Sequence, residues 1–279
     1  MMREITLQEM QRLELNMLLE LDRFCQEHGL VYYLAYGTLL GAARHKGFIP
    51  WDDDVDVWMP RPDYDKLIAL FHDDRKGTQV PYYQLVAPLD KRSRHSFVKI
   101  MDTRTVKRES NFDYVTGELG VDIDVFPLDG QPSSEQEYQE WFELLQKYYW
   151  RADLPVRLRQ EKPRRQWLLG MIRFLGGKQG CLGIWIKRHY LKKAMQLHRQ
   201  HEYGVSAMIG MTEMCFGCEK DRFKPDLFRH VTKMEFEGHW LNAPTESHVI
   251  LRQLYGAYEE LPPEEERKSH QLDAVFWKD

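Results

Sequence analysis

Long apolar runs are missing from this 279-residue chain. No stretch reaches the roughly 18 uncharged apolar residues of a membrane-spanning helix. The opening Met1-Met2-Arg3-Glu4-Ile5-Thr6 is not an apolar signal region. A cytoplasmic protein is expected, at most peripheral to the inner face of a membrane. Cysteine is scarce too. Cys25, Cys181, Cys215 and Cys218 are too few and too scattered for a disulfide framework, which fits a reducing compartment. Cys215 and Cys218 form a lone CxxC without a second pair or an HxxxH partner, so free thiols are expected there rather than zinc. Internal repeats and low-complexity segments are absent. Net charge is only -4, which argues against nucleic acid as a partner.

What is there is apolar mass and an uneven distribution of charge. Hydrophobic residues are 43% and aromatics 13% of the chain, enough to fill a large core. Residues 151–200 hold 13 Lys+Arg against 2 Asp+Glu, a net of +11, so the remainder carries -15. A basic block in an acidic chain suits a local anionic partner, and a peripheral membrane contact through 151–200 is expected. The plainer explanation is a set of solvated helix faces.

Local patterns give a mixed α/β order. Thr6-Leu7-Gln8-Glu9 reads as a capping box, and Leu7, Met10, Leu13, Met17, Leu21 and Phe24 recur at helical spacing. Gly29 is a plausible stop for that helix. Strands are expected at 30–35, 55–59, 82–87, 97–102 and 121–126. Helices are expected at 38–46, from Pro60-Arg61-Pro62-Asp63 to about Phe71, and from Ser133 or Ser134 towards Trp150. Residues 151–203 read as mostly helical, interrupted around Gly176-Gly177. A small hairpin turns at Glu237-Gly238, and Pro244 suits the first turn of a helix running to Tyr255. The organisation expected is a catalytic core over 1–130, a basic helical insertion over 131–205, and an α+β portion over 206–279 that completes the same domain.

Chemistry concentrates in Gly47-Phe48-Ile49-Pro50-Trp51-Asp52-Asp53-Asp54-Val55-Asp56-Val57, with four aspartates in five positions. Side chains two apart share a face of a strand, so Asp54 and Asp56 project together and Val55 and Val57 oppose them. Paired carboxylates repel unless a cation lies between them. An EF-hand loop is excluded: Val57 stands where that loop needs glycine, and Asp63 where it needs glutamate. Two further pieces flank the pair. Tyr36-Gly37-Thr38 is a strand-to-helix turn whose backbone N–H groups suit a phosphate. Val121-Asp122-Ile123-Asp124-Val125 is a second alternating acidic strand. A carboxylate from that strand completes a site for Mg²⁺ or Mn²⁺. Asp54, Asp56 and Asp124 are the expected metal-binding and catalytic residues.

The order of these pieces resembles the nucleotidyltransferase superfamily. The longer matches Tyr36-Gly37-Thr38-Leu39-Leu40-Gly41-Ala42, Arg44, Gly47 to Asp56 and Asp124-Val125-Phe126-Pro127-Leu128-Asp129-Gly130 resemble the LicD family. So does the tail Tyr255-Gly256-Ala257-Tyr258 with Leu261-Pro262-Pro263, Arg267 and His270. The resemblance runs from about residue 20 to 272. It implies a nucleotidyltransferase-like mixed sheet flanked by helices. It also implies transfer of a phospho-alcohol, phosphocholine above all, from a CDP-activated donor to a hydroxyl of a surface glycan, a teichoic-acid precursor or a lipid-linked oligosaccharide. Ribitol or glycerol phosphate is the alternative cargo, and a non-catalytic nucleotide-binding scaffold is the alternative class. The family's metal pair falls on Asp54 and Asp56 and its later aspartate on Asp124. Asp122 stands where the family more often has an apolar residue, and is at most an accessory.

Other residues complete the expected site. Arg44, Lys46 and Lys99 are basic groups suited to the donor's phosphates, together with Gly37 and Thr38. Asp52 and Asp53 lie in the loop before the strand and are expected to position the site, with Asp53 counted among the substrate-binding residues. His270 is expected to contact donor or acceptor. Trp51 and Trp58 flank the aspartates, with Tyr36 and Phe48 nearby, and aromatic faces attract a quaternary ammonium by up to ~2 kcal/mol when desolvated. Rings beside a strand more commonly belong to the core. Trp51 is the one assigned to substrate. The apolar residues Trp167 to Leu175, set among basic ones, suit either a lipid interface or helix packing.

Overall fold

A computed structural model describes residues 3–73, 80–90, 93, 95–108, 119–160, 181–211, 220–267, 269 and 274–278. Cys215, Cys218, His270, Gly176, Gly177 and the segment 167–175 lie outside the described residues. The first helix, α1 (Leu7–His28), starts at the expected capping box. Glu9 N–H donates to Thr6 Oγ1 and Thr6 N–H donates to Glu9 Oε2. It ends at Gly29, whose φ of 63° is the left-handed conformation glycine adopts without strain.

A mixed sheet carries the rest. Among the described residues it has seven strands, with the central order β1 (Tyr33–Leu34), β2 (Asp56–Pro60), β6 (Asp122–Gln131), β4 (Val98–Asp102), β3 (Tyr83–Val86). β2 and β6 run parallel and the other neighbours in that order are antiparallel. β7 (Met208–Gly210) pairs the far end of β6, and β8 (Arg222–Phe223) pairs β7. β5 (Thr105–Arg108) pairs β11 (Ala274–Trp277), and β9 (Val231–Phe236) pairs β10 (His239–Pro244). α1, α2 (Tyr36–His45), α3 (Arg61–Asp73) and α6 (Ser247–Tyr255) flank this framework. Its core is one continuous apolar cluster that includes Met17, Leu34, Val57, Trp58, Val98, Ile123, Val125 and Phe236.

α4 (Glu135–Gln160) and α5 (Cys181–His198) bury Tyr138, Trp141, Leu145, Ala194 and Leu197 in a second small core. A buried polar junction fastens this pair to the sheet. Arg61 donates twice to Asp129, at 2.6 Å each. Asp129 Oδ2 lies 3.6 Å from His198 Nδ1, and His198 Nε2 meets the Tyr149 hydroxyl at 2.7 Å. Among the described residues no helix is long and apolar enough to cross a membrane.

Several boundaries differ from the sequence pattern for physical reasons. The strand expected at 30–35 reduces to Tyr33–Leu34, because only those residues find partners, Trp58 and Val57. The helix expected from Thr38 already begins at Tyr36. β6 runs on past Phe126 because Asp129 to Gln131 pair with β7. α4 continues ten residues beyond Trp150. Pro244 does not open a helix: it is the last residue of β10, opposite Val231, and α6 starts at Ser247. A proline needs no donor of its own at such a strand end.

Candidate active site

Strand register builds the centre of the site. Asp56 on β2 stands opposite Asp124 on β6, and Asp124 stands opposite Lys99 on β4. Directly opposed residues share a face, so two carboxylates and an ammonium line up across three strands. Lys99 Nζ donates to Asp124 Oδ1 at 2.5 Å and lies 3.2 Å from Asp122 Oδ2. Lys107 on β5 reaches the other Asp122 oxygen at 3.2 Å. Lys99 is therefore committed to carboxylates, a different arrangement from the expected phosphate contact. Asp122, expected to be an accessory, is the buried counter-ion of both lysines.

The loop before β2 brings the remaining acids. One oxygen each from Asp52, Asp53 and Asp54 lie within 4.8 Å of one another. Asp52 and Asp53 are buried and Asp54 is half-buried. Burial, then Asp54, Asp124 and Asp52, push the Asp56 carboxyl well above the usual range, and Lys99 only partly offsets them. Asp124 is raised by burial against the pull of Lys99. Burial also works to raise Asp122, but Lys107 and Lys99 overcome it and hold that carboxyl below its ordinary value. A crowded set of hard carboxylate oxygens is the donor set that Mg²⁺ or Mn²⁺ prefers. The residues fit such an ion.

The α2 N-terminus meets this cluster. A Cβ on Gly37 would lie 2.7 Å from Asp52 Oδ2, so glycine is what admits the carboxylate there. Asp52 thus lies against the turn at which a phosphate contact is expected. Thr38 is buried and its hydroxyl accepts the Asp56 N–H at 2.8 Å, which holds the first residue of β2 in place. Arg44 points to the tail, donating to the Tyr258 and Glu260 carbonyl oxygens at 3.0 and 3.2 Å. Lys46 caps α2 in the left-handed conformation and lies 3.4 Å from Glu235, largely exposed. The structure does not bring Lys46 to the acids.

Of the flanking aromatics only Trp51 stays available. Trp58 is wholly buried among Tyr36, Phe223 and Phe228, and Phe48 packs on Phe236. Trp58 belongs to the core and Phe48 packs against it. The Arg267 guanidinium sits 5.6 Å from the Trp51 ring. It is close enough to Arg44 that, after burial, its charge lowers the Arg44 pKa.

Several neighbours of the site were not foreseen. Tyr255, the last residue of α6, is 43% exposed as a whole, but its phenol lies deep enough that desolvation, then Asp56, Asp52, Asp221 and Asp54, raise its pKa. Its hydroxyl thus shares the surroundings of the acids. Glu14 is 1% exposed on α1, and burial raises its carboxyl well above the usual range. Its signal was legible: an acid in the stripe of Met10, Leu13 and Met17. Tyr255 opens the tail that resembles the family, while Lys107 carried no comparable mark.

Comparison with known proteins adds the family. Residues 29–154 match LicD/FKTN/FKRP, nucleotidyltransferase domain. That segment is similar to the LicD-family domain and contains Gly37, Thr38, Asp52, Asp53, Asp54, Asp56, Lys99, Asp122 and Asp124. The chain is 29% identical over 290 residues to the lipopolysaccharide cholinephosphotransferase LicD of Haemophilus influenzae, with 99% of each chain covered. Uncharacterized proteins of Rickettsia prowazekii and Rickettsia typhi are each 46% identical over 37 residues, covering 13% of this chain and 14% and 12% of theirs.

Proposed function

We propose that the chain transfers phosphocholine from CDP-choline to a hydroxyl of lipopolysaccharide or a related surface glycan, releasing CMP. The reading is carried by the Asp56–Asp124 pair on parallel neighbours β2 and β6, faced by the Asp52–Asp54 loop. The full-length similarity to a lipopolysaccharide cholinephosphotransferase supports the cargo and the acceptor class.

In the reaction, the acceptor oxygen forms a bond to the phosphorus of the phosphocholine group. The bond from that phosphorus to the bridging oxygen breaks, and CMP leaves with the electron pair. The acceptor's proton passes to an aspartate of the cluster that the ion does not fully engage. Asp54, Asp56 and Asp124, with Asp52 and Asp53, would hold the divalent ion. Bound there, Mg²⁺ or Mn²⁺ neutralises the diphosphate and polarises the phosphorus. Lys99 fixes Asp124, and Thr38 fixes Asp56. Gly37 admits Asp52 to the α2 N-terminus. Arg44 and Arg267 bring positive charge to the donor phosphates, and Trp51 borders them.

A lipid-linked acceptor would meet the basic side of the molecule. Trp150 and Trp185 are 53% and 60% exposed on α4 and α5, near Arg151, Arg188, Lys192 and Lys193. The deciding experiment is CMP release from CDP-choline with Mg²⁺ and a lipopolysaccharide acceptor. CMP release from CDP-ribitol or CDP-glycerol alone would replace the cargo. No turnover with any CDP donor, while nucleotide still binds, would favour the scaffold class.

A further inference from the structure

We infer that Glu14 belongs to the divalent-cation site and supplies it with an oxygen from the α1 side. The inference rests on the metal-dependent reading above and adds a residue to it. Glu14 lies outside the family-matched segment 29–154. Leu13, Met17 and Leu18 surround it in the buried stripe of α1. Its Oε2 is buried and has no hydrogen-bond partner among the described residues. Leaving a buried polar atom unsatisfied costs ~1–3 kcal/mol, and more if it is charged. An apolar side chain would serve packing better at this position.

Gln11 fixes the direction in which this face of α1 looks. Its Nε2 donates to the Asp52 carbonyl oxygen at 2.9 Å. Residues three apart share a helix face, so Glu14 follows Gln11 against the same acidic loop. The charged groups acting on the Glu14 carboxyl are Lys107, Asp54, Asp122 and Asp53. Lys107 is already bonded to Asp122 at 3.2 Å. Mg²⁺ takes a near-octahedral oxygen shell, and the three loop aspartates offer one oxygen each. Glu14 adds a donor from the buried side.

The test is a titration of metal-free, full-length protein with Mn²⁺ alone, followed by electron paramagnetic resonance or calorimetry. Glu14→Met, which fills the same space without an oxygen, is expected to weaken Mn²⁺ binding about tenfold or more. Its melting temperature without metal should hold or rise. Glu14→Gln keeps a side-chain oxygen at the same reach and should recover most of the affinity. Glu14→Leu repeats the measurement if the Met variant does not fold. Equal Mn²⁺ affinity in the apolar variant and the wild type overturns the assignment, as does an equal loss in Met and Gln. In both cases wild-type binding still stands, and with it the metal-dependent reading. Absence of Mn²⁺ binding in the wild type instead removes that reading, and Glu14's role with it.

Discussion

Asp56 is the residue in which the conflicting demands of fold and site are greatest. Its backbone N–H is fixed by Thr38, and its carboxylate faces Asp54, Asp124 and Asp52. Because its pKa is raised in the folded state, its contribution to stability is fully present below the unfolded value of 3.8. That contribution is lost as pH rises through the folded value. Without metal at neutral pH the carboxylate therefore destabilises the fold. Asp56→Asn should raise the melting temperature of the metal-free protein, by about 2–4 °C per kcal/mol relieved. The same variant should lower CMP release by roughly 100-fold or more. Differential scanning fluorimetry beside the CMP assay reads both, and a fall in both would mean that Asp56 is structural. The rise in melting temperature caused by Mg²⁺ should be larger at pH 8 than at pH 5, since protonated acids resist the ion. A gain independent of pH would put the ion elsewhere.

At the level of elements, β4 enters the site through Lys99. The chain shows a lysine among Phe97, Val98, Ile100 and Met101, but nothing in that stretch reveals its partners. Those depend on the register β4–β6, set by residues 25 positions apart. Lys99→Met would leave Asp122 and Asp124 buried with less compensation, and a loss of ~3–5 kcal/mol is expected in urea unfolding. A loss under 1 kcal/mol would mean that Lys107 alone neutralises the pair. The same distinction between local and non-local information explains what the sequence could tell. The capping box at Thr6 and the Val55/Val57 alternation are local, and both elements stand where the pattern puts them. The adjacency of Asp56 and Asp124 is non-local, and it reached the sequence reading only as a requirement for a third carboxylate. Pro244 was misread because a strand end and a helix first turn tolerate proline equally well. The hydrogen bonds of Arg44 go to tail carbonyls that only the folded chain brings near, so its type and position alone did not reveal them.

Across the whole molecule, the helical pair α4–α5 and the sheet share one buried junction, Arg61–Asp129–His198–Tyr149. Burial pushes the His198 pKa down to about 4, with Arg61 and Arg199 adding to that effect and Asp129 opposing it. A histidine held neutral in the fold contributes stability that is present above its unfolded value of 6.5 and is lost as pH falls towards 4. The difference corresponds to roughly 3 kcal/mol. His198→Gln should flatten the pH dependence of the melting temperature between pH 6.5 and 4, relative to wild type. Parallel curves for the two proteins would mean that the junction does not sense protons.

The β9–β10 turn has a consequence for where this protein may be divided. Glu237, at φ 49°, donates its N–H to the Lys46 carbonyl oxygen and accepts the Phe48 N–H on its carboxylate. It thus clasps both sides of Gly47, at the root of the aspartate loop, while Gln11 holds Asp52 from the other end of the chain. The segment matched as a nucleotidyltransferase domain ends at residue 154, well before this clasp, whereas the likeness to the Haemophilus relative runs through it. A fragment cut at residues 29–154 would therefore leave its acids without a frame.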